Sequence, residues 1–546
     1  MSNKSPLEIA IDSAFAPRAQ MSRRQILRAG VAGGGILIMG SGLLAACSTD
    51  GTPAPAGSGN GNSPVQGGVL NIGADADPIG MDPTTSNAMA SFDPIALMYN
   101  GLLRWNEKME IEPDLAKSYE NPDPTTYIFH LRTGIKFHNG NGFTAEDVKY
   151  TLDRIADPKT GSPRVDFAKA IKELTIIDAS TVKIELESPD ASFLPFLASI
   201  PDGAMVPKGS TDLASAPVGT GPFVFDSYQP NQQLTLKANP DYYEKDLPYL
   251  ATVVFKFFKD QSSITSALRS KAIDMTWLKD PQVAELTAKT LSDVVSVPGE
   301  TTRAFPVWFS TGNAALKDVN VRRALSLATD RTACLQTVLK GSAKISAAIP
   351  ESKTGGWDGK GDMPYYKHDI AEAKKLLAGA GFEDGIDLGD YQVVAANALD
   401  VQCAQVLQEQ WAQAGIKVNI KPMETAPLIA NWTSGNFGVL SLSRIAGTWD
   451  PDPEVSRFAS DSPFGSAIKM SDTTLDSMLS AARIELDTKK RAADYLKIQE
   501  RIADQAHALY IYQYPLRWEL YWNYVKGYHA VPTNIHSYVR TSWLDK

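Results

Sequence analysis

The chain has 546 residues, 43% hydrophobic and 21% charged, with a formal net charge of −9 and three cysteines. That length and apolar content build two to three domains with sizeable cores, three cysteines exclude a disulfide framework, and an acidic balance without a basic stripe excludes a nucleic-acid binder. Familiar catalytic and metal signatures are missing too. The histidines, His130, His138, His368, His507, His529 and His536, form no HExxH pair, no two cysteines have zinc-site spacing, and there is no GxSxG elbow. The run "GGWDGKG" (355–361) has the wrong glycine spacing for a phosphate loop and no Ser or Thr after Lys360. No cofactor, metal site or catalytic role is expected.

The N-terminus sets the compartment. Residues 21–47 run "MSRRQILRAGVAGGGILIMGSGLLAAC". A positive region, an apolar run and a small-residue end make a secretory signal, and paired Arg23 and Arg24 resemble the address of the pathway that exports folded proteins. Six glycines among the eighteen residues between Arg28 and Cys47 weaken any reading as a membrane span or buried helix. "LAAC" (44–47) resembles the lipobox of bacterial lipoproteins. Cleavage there removes residues 1–46 and leaves Cys47 to carry a diacylglyceryl group, and two or more acyl chains anchor stably. Met21 opens a more usual signal than Met1 does. Residues 47–66, rich in Gly, Ser, Pro and Asn, read as a flexible tether reaching roughly 25 Å. Residues 1–46 carry five basic and two acidic side chains, so their removal leaves a net charge of −12. The expected product is exported, lies in the periplasm or at the cell surface, and is tied to the membrane by lipid. Its remaining cysteines, Cys334 and Cys403, lie in helical segments. Buried free thiols are expected, with a disulfide open to a protein outside the cytoplasm.

Further along, Tyr127, Phe129 and Leu131 alternate with Ile128, His130 and Arg132, as in a strand. The Asn-Gly pairs at 139–142 turn the chain. Thr144 then caps a helix with Glu146 and Asp147 in its first turn and Val148, Leu152 and Ile155 as its buried stripe. In "DVNVRRALSLATDR" (318–331), Val321, Leu325 and Ala328 share one face, and Arg322, Arg323 and Asp330 lie elsewhere. "LQEQWAQAGIKVNIK" (407–421) is a helix stopped at Ala-Gly and followed by the alternating strand Ile416, Val418, Ile420. Helix–Gly–strand units predict α/β lobes with partly parallel sheet. In "SRIAGTWDPDPEV" (443–455), Asp450 and Asp452 share one proline-locked segment and approach from the same side. Glycoside hydrolysis needs two carboxyl groups that flank the scissile bond, and Asp-Pro repeats more often punctuate turns.

The stretch from Tyr99 to Ile155, "YNGLLRW…IEPDLAKSYENPDPTTYIFHLRTGIKFHNGNGFTAEDVKYTLDRI", closely resembles the signature region of family 5 bacterial solute-binding proteins, the oligopeptide-, dipeptide- and nickel-binding group that serves ABC importers. "APVGTGPFVFDSYQPNQQLTLKANPDYY" (216–243) is similar to the family's central strand pair and "ALKDVNVRRALSLATDR" (315–331) to its long helix after the crossover. "IAEAKKLLAGAGF" (370–382), "VLQEQWAQAGIKVNIK" (406–421) and "VKGYH" (525–529) match in kind, so the resemblance covers nearly everything from residue 67 onward. It implies an α/β, two-lobed, periplasmic-binding-protein-like fold with an extra peripheral subdomain and a ligand cleft between the lobes. Lobe I would comprise 67–100, 217–302 and 517–546, the subdomain 101–216, and lobe II 303–516. It further implies a monomer that captures a peptide or peptide-like solute by hinge closure and delivers it to the permease and ATPase subunits of an ABC importer. The alternatives are a non-peptide anionic or neutral solute (an opine-like conjugate, an oligosaccharide or a metal chelate) and a surface receptor without transport.

In the peptide-binding relatives an aspartate receives the ligand's ammonium group three residues before the acidic-Pro pair, typically after a Trp. Aligned on Asp450-Pro451, those positions hold Gly447 and Arg444 here. The loop then resembles pocket wall without its amine anchor, and Arg444 favours a carboxylate through bidentate hydrogen bonds. The opposing reading turns Arg444 away and makes Asp450 the anchor. Trp277, Trp308, Trp432 and Trp449 offer stacking faces or pack in cores. Arg303 lines the cleft at the lobe crossover or sits in a surface ion pair. Asp82, in "GMDPTTS", borders the cleft or belongs to a helix-entry turn.

Overall fold

Strands buried on both faces read as near-continuous apolar runs, and Met275–Leu278 (MTWL) is one, buried throughout. In the computed structural model it pairs in parallel with Val69–Ala74 at the middle of a first sheet. The structure describes residues 63–298, 303–349, 362–395, 397–441, 444–445, 450–514, 517–530 and 537–546. The first sheet runs in the order 294–298, 518–522, 275–278, 69–74, 252–257, 233–238, 223–229. Strand 69–74 is parallel to both neighbours and the outer pairs are antiparallel. Leu70, Ile72, Phe223, Leu236 and Phe255 fill its core.

A second sheet has the order 344–345, 508–514, 303–309, 439–441, 386–394, 416–423, with 444–445 added beside 303–309. The helix–glycine–strand unit lies within it. Helix Ala398–Gln413 ends at Ala414 and Gly415, and strand Ile416–Met423 runs parallel to Ile386–Val394. Gly415 has φ 85°, and a Cβ on neighbouring Gly385 would lie 2.5 Å from the Gly415 carbonyl oxygen, so both positions need glycine. Trp411 stacks on Tyr391 at 5.6 Å and donates its indole N–H to Thr329 Oγ1 at 2.9 Å. The third sheet, 116–123, 126–131, 181–186 and 171–178, is antiparallel. Helix Ala145–Ala156 packs on its core through Val148, Leu152 and Ile155. Its capping box is closed by Asp147, which accepts from the Thr144 N–H at 2.8 Å and hydroxyl at 3.0 Å.

Two expectations are corrected. Residues 315–331 form no single long helix: a turn at Ala315–Lys317 precedes helix Val319–Leu327, and a separate helix begins at Arg331. Asp318 and Asp330 cause the breaks, because each accepts a hydrogen bond from a backbone N–H of the following turn, Asn320 at 2.8 Å and Ala333 at 2.9 Å. Arg322, placed off the buried face by its periodicity, is itself buried. Its guanidinium donates to the carbonyls of Leu316, Lys317, Gln505 and Ala506, which satisfies the buried fork.

Arg154 and His138 are among the residues whose polar contacts fasten the third sheet to the first. Both Asp82 oxygens engage Arg154 on the capped helix, one at 2.9 Å. Gly219 N–H donates to His138 Nδ1 at 3.3 Å, and His138 Nε2–H donates to the Gly221 carbonyl at 3.1 Å. This pair of bonds selects the neutral ring, since protonated Nδ1 would face an N–H. Burial lowers the His138 pKa from 6.5 to about 4. Between those values the unfolded chain binds more protons than the folded one, so stability falls as pH drops through the window. Melting curves from pH 7 to pH 4 are expected to show a loss of up to about 3 kcal/mol from this residue, and His138→Gln should flatten that slope.

Candidate functional site

The chain passes between the first two sheets at adjacent places. In the first sheet Val294–Pro298 pairs antiparallel with Trp518–Trp522 and ends at Pro298 opposite Trp518. In the second, Arg303–Phe309 pairs antiparallel with Ala508–Tyr514 and begins at Arg303 opposite Tyr514. Where the chain leaves one sheet for the other and where it returns, the flanking strands are therefore partners in each sheet, Pro298 with Trp518 and Arg303 with Tyr514, which is hinge geometry. Arg517 fixes the return link to the first lobe. It is buried, donates to both oxygens of Asp93 at 2.9 and 3.2 Å, and lies over the Trp277 ring at 4.3 Å.

The Asp450 loop starts at this hinge, because Arg444–Ile445 pairs with the first residues of Arg303–Phe309. Asp450 and Asp452 then turn inward and are buried. Arg491 grips Asp450 with two bonds, at 2.6 and 2.8 Å. Tyr495 donates to Asp452 Oδ1 at 3.0 Å and Arg483 to Oδ2 at 3.0 and 3.2 Å. Burial raises the Asp450 pKa, and the guanidinium bonds oppose it. Burial also works against the Arg491 charge, but the bonds to Asp450 outweigh it and raise the Arg491 pKa. The carboxylates thus tie the loop to helices Thr473–Ile484 and Thr488–Asp504. Arg483 also meets the third sheet's domain, since Ala191 N–H donates to its carbonyl at 3.0 Å. Burial lowers the Arg483 pKa, while Asp452 and Asp190 raise it to a net increase.

The residues singled out from sequence fall into separate places. Arg303 and Arg444 lie on neighbouring strands at the hinge, where the backbone is described. Gly447, Trp449 and Cys47 lie outside the described residues. Trp277 belongs to the first core and packs under Arg517. Trp308 and Trp432 belong to the second lobe's core, 6.2 Å apart between ring centroids, with Phe464 4.3 Å from Trp432. Asp82 is held by Arg154, and Asp450 by Arg491. Sequence reasoning missed Arg483, Arg491, Tyr495 and the Asp93–Arg517 pair. One signal was present: Arg491 shares the apolar stripe of Tyr495, Ile498 and Ile502, so its charge sits on the buried face.

A cavity lined by Thr311, Lys317, Asp472, Arg501 and His507 lies at the far end of the strands that leave the hinge. His507 Nε2 is 2.8 Å from Asp472, which Arg501 also holds. No described helix is long and apolar enough to cross a membrane. The Asp450 brace makes a direct prediction. Asp450→Ala strips the buried Arg491 of this carboxylate, so chemical denaturation is expected to show a loss of about 3–5 kcal/mol.

These features match known proteins over most of the chain. The family model "Bacterial extracellular solute-binding proteins, family 5 Middle" matches residues 110–466. A probable di/tripeptide-binding protein 5 of Pseudomonas aeruginosa (strain UCBPP-PA14) is 29% identical over 518 residues, which cover 88% of this chain and 96% of the relative. The ABC transporter-associated periplasmic binding protein DppA from Helicobacter pylori, solved with the peptide STSA, superposes with TM-score 0.73 at 26% identity, covering 88% of this chain and 99% of that one. The binding protein AgaA of A. tumefaciens R10, solved with agropinic acid, has TM-score 0.72 at 25% identity and covers 88% and 99%. The fold is the two-lobed α/β architecture of the periplasmic binding proteins, and the chain belongs to the family 5 bacterial extracellular solute-binding proteins.

Proposed function

We propose that this protein captures a peptide or peptide-like solute between its two lobes, closes on it by rotation about the paired links, and passes it to the permease of an ABC importer. The observation that carries the reading is the hinge: two separate cores, in each of which the strand that leads to the other lobe pairs with the strand that returns from it. On this reading lobe I is 67–100, 217–302 and 517–546, lobe II is 303–516, and 101–216 is the peripheral subdomain. A solute stabilises the closed form only by binding it more tightly than the open one. The ligand leaves chemically unchanged. Support comes from Asp450 and Asp452, whose oxygens are bound by Arg491, Tyr495 and Arg483. Cys47 carries the lipid, and residues 47–66 let the body range over the membrane surface.

A second reading concerns the end of the ligand that meets the Asp450 loop. Gly447 leaves no acid where peptide binders hold an ammonium group, and Asp450 is already engaged by Arg491. A buried ammonium without a partner costs several kcal/mol. The site therefore suits a neutral or anionic group there, with Arg444 as its partner, and the AgaA complex with agropinic acid is a relative of that chemistry.

Calorimetry with free and N-acetylated tripeptides and with an opine-type sugar–amino acid conjugate tests both readings. Binding of at least one class, with a smaller radius of gyration in solution scattering, is expected. A solute at a hundredfold excess over its Kd should add about 2.7 kcal/mol of stability. Turnover of the ligand, or an unchanged radius at saturation, would overturn the capture reading. Strong preference for the free amine would overturn the second reading alone. Arg444→Ala is expected to weaken a carboxylate-bearing ligand by roughly tenfold or more.

A further inference from the structure

Cys334 and Cys403 are far apart in sequence but not in space. Cys334 lies on helix Arg331–Leu339, Cys403 on helix Ala398–Gln413, and their Sγ atoms are 3.0 Å apart. Non-bonded carbon atoms settle about 3.5–4.0 Å apart, and sulfur is larger, so this is closer than packing alone brings two thiols. A disulfide needs about 2.05 Å, which a shift of about 1 Å supplies. Both side chains are fully buried in the second lobe's core, among Leu335, Leu407 and Tyr512. Burial also pushes the Cys403 thiol up.

We propose that Cys334 and Cys403 form a disulfide in the exported protein, closing a covalent loop across the second lobe. The step is thiol–disulfide exchange with a disulfide donor of the oxidising compartment, either an oxidoreductase or a small disulfide. One thiolate attacks the donor to give a mixed disulfide, and the second displaces the donor's remaining sulfur. Both cysteines lose their hydrogens and are oxidised, and the donor is reduced to two thiols. With both sulfurs sealed in the core of a chain exported folded, exchange takes place during local opening of the helices. The third cysteine, Cys47, heads the tether and leaves this pair even in number. The proposal goes beyond solute capture and uses only the extracytoplasmic setting, where such bonds persist.

The test is a count of thiols. Protein recovered from outside the cytoplasm is unfolded in a maleimide reagent without reductant. Neither Cys334 nor Cys403 should be labelled, and their two peptides should travel as one species lighter by two hydrogens. After reduction both should label. The linked protein should melt on the order of 10 °C above the reduced one, and Cys334→Ala/Cys403→Ala should melt at one temperature with or without reductant. Labelling of both cysteines without reductant overturns the proposal. So does failure to link when reduced protein is refolded with oxidised glutathione, which tests the geometry whatever compartment the chain reaches.

Discussion

Two cores whose crossing strands are hydrogen-bonded in pairs on either side allow one motion and resist the others. Because Val294–Pro298 and Trp518–Trp522 are partners on one side, and Arg303–Phe309 and Ala508–Tyr514 on the other, the lobes can bend about the line where both links pass. Sliding would tear the ladders. Rotation leaves both interiors intact, since each lobe buries its own residues, around Ile72 and Phe255 in one and around Tyr391 and Trp411 in the other. The Arg517–Asp93 pair makes the first-lobe end of the return link a fixed point rather than a loose strap.

The same line organises the polar interior of the second lobe. The Asp450 loop leaves the sheet beside Arg303, so its path begins at the axis of motion. A buried polar network that is fully satisfied fixes one geometry, whereas a partly satisfied one does not. Arg491, Tyr495 and Arg483 meet the two carboxylates from successive helices, and the Asp452 N–H itself donates to Asp450 at 2.9 Å. Charge usually read as chemistry serves here to hold a loop in position.

Local pattern carried much of the fold. The alternation of Tyr127, Phe129 and Leu131, the Thr144 cap and the glycine stop before Ile416 depend on neighbours within a few residues, and each is seen in the structure. Periodicity misplaced Arg322 because, beside the nearby Leu316 and Lys317 carbonyls, its guanidinium binds carbonyls of a segment near residue 505, out of reach of any local window. The brace was hidden for the same reason: Arg491 and Tyr495 stand 41 and 43 residues from their carboxylates. Tryptophans are ambiguous in sequence, since a stacking platform and a core plug have the same composition, and Trp308 and Trp432 pack as plugs. Proximity of Cys334 to Cys403 likewise depends on how two helices cross, which neither segment encodes alone.

The hydrogen bond from Ala191 to the carbonyl of Arg483 reaches from the layer of the third sheet to the second lobe. That layer is fastened to the first lobe at Asp82 and His138, among other contacts, so swinging the lobes apart must break the bond. The backbone thus favours the arrangement in which these two parts touch. How readily the lobes part is therefore set at the rim as well as at the hinge, by this amide and by the Asp190 charge that acts on Arg483.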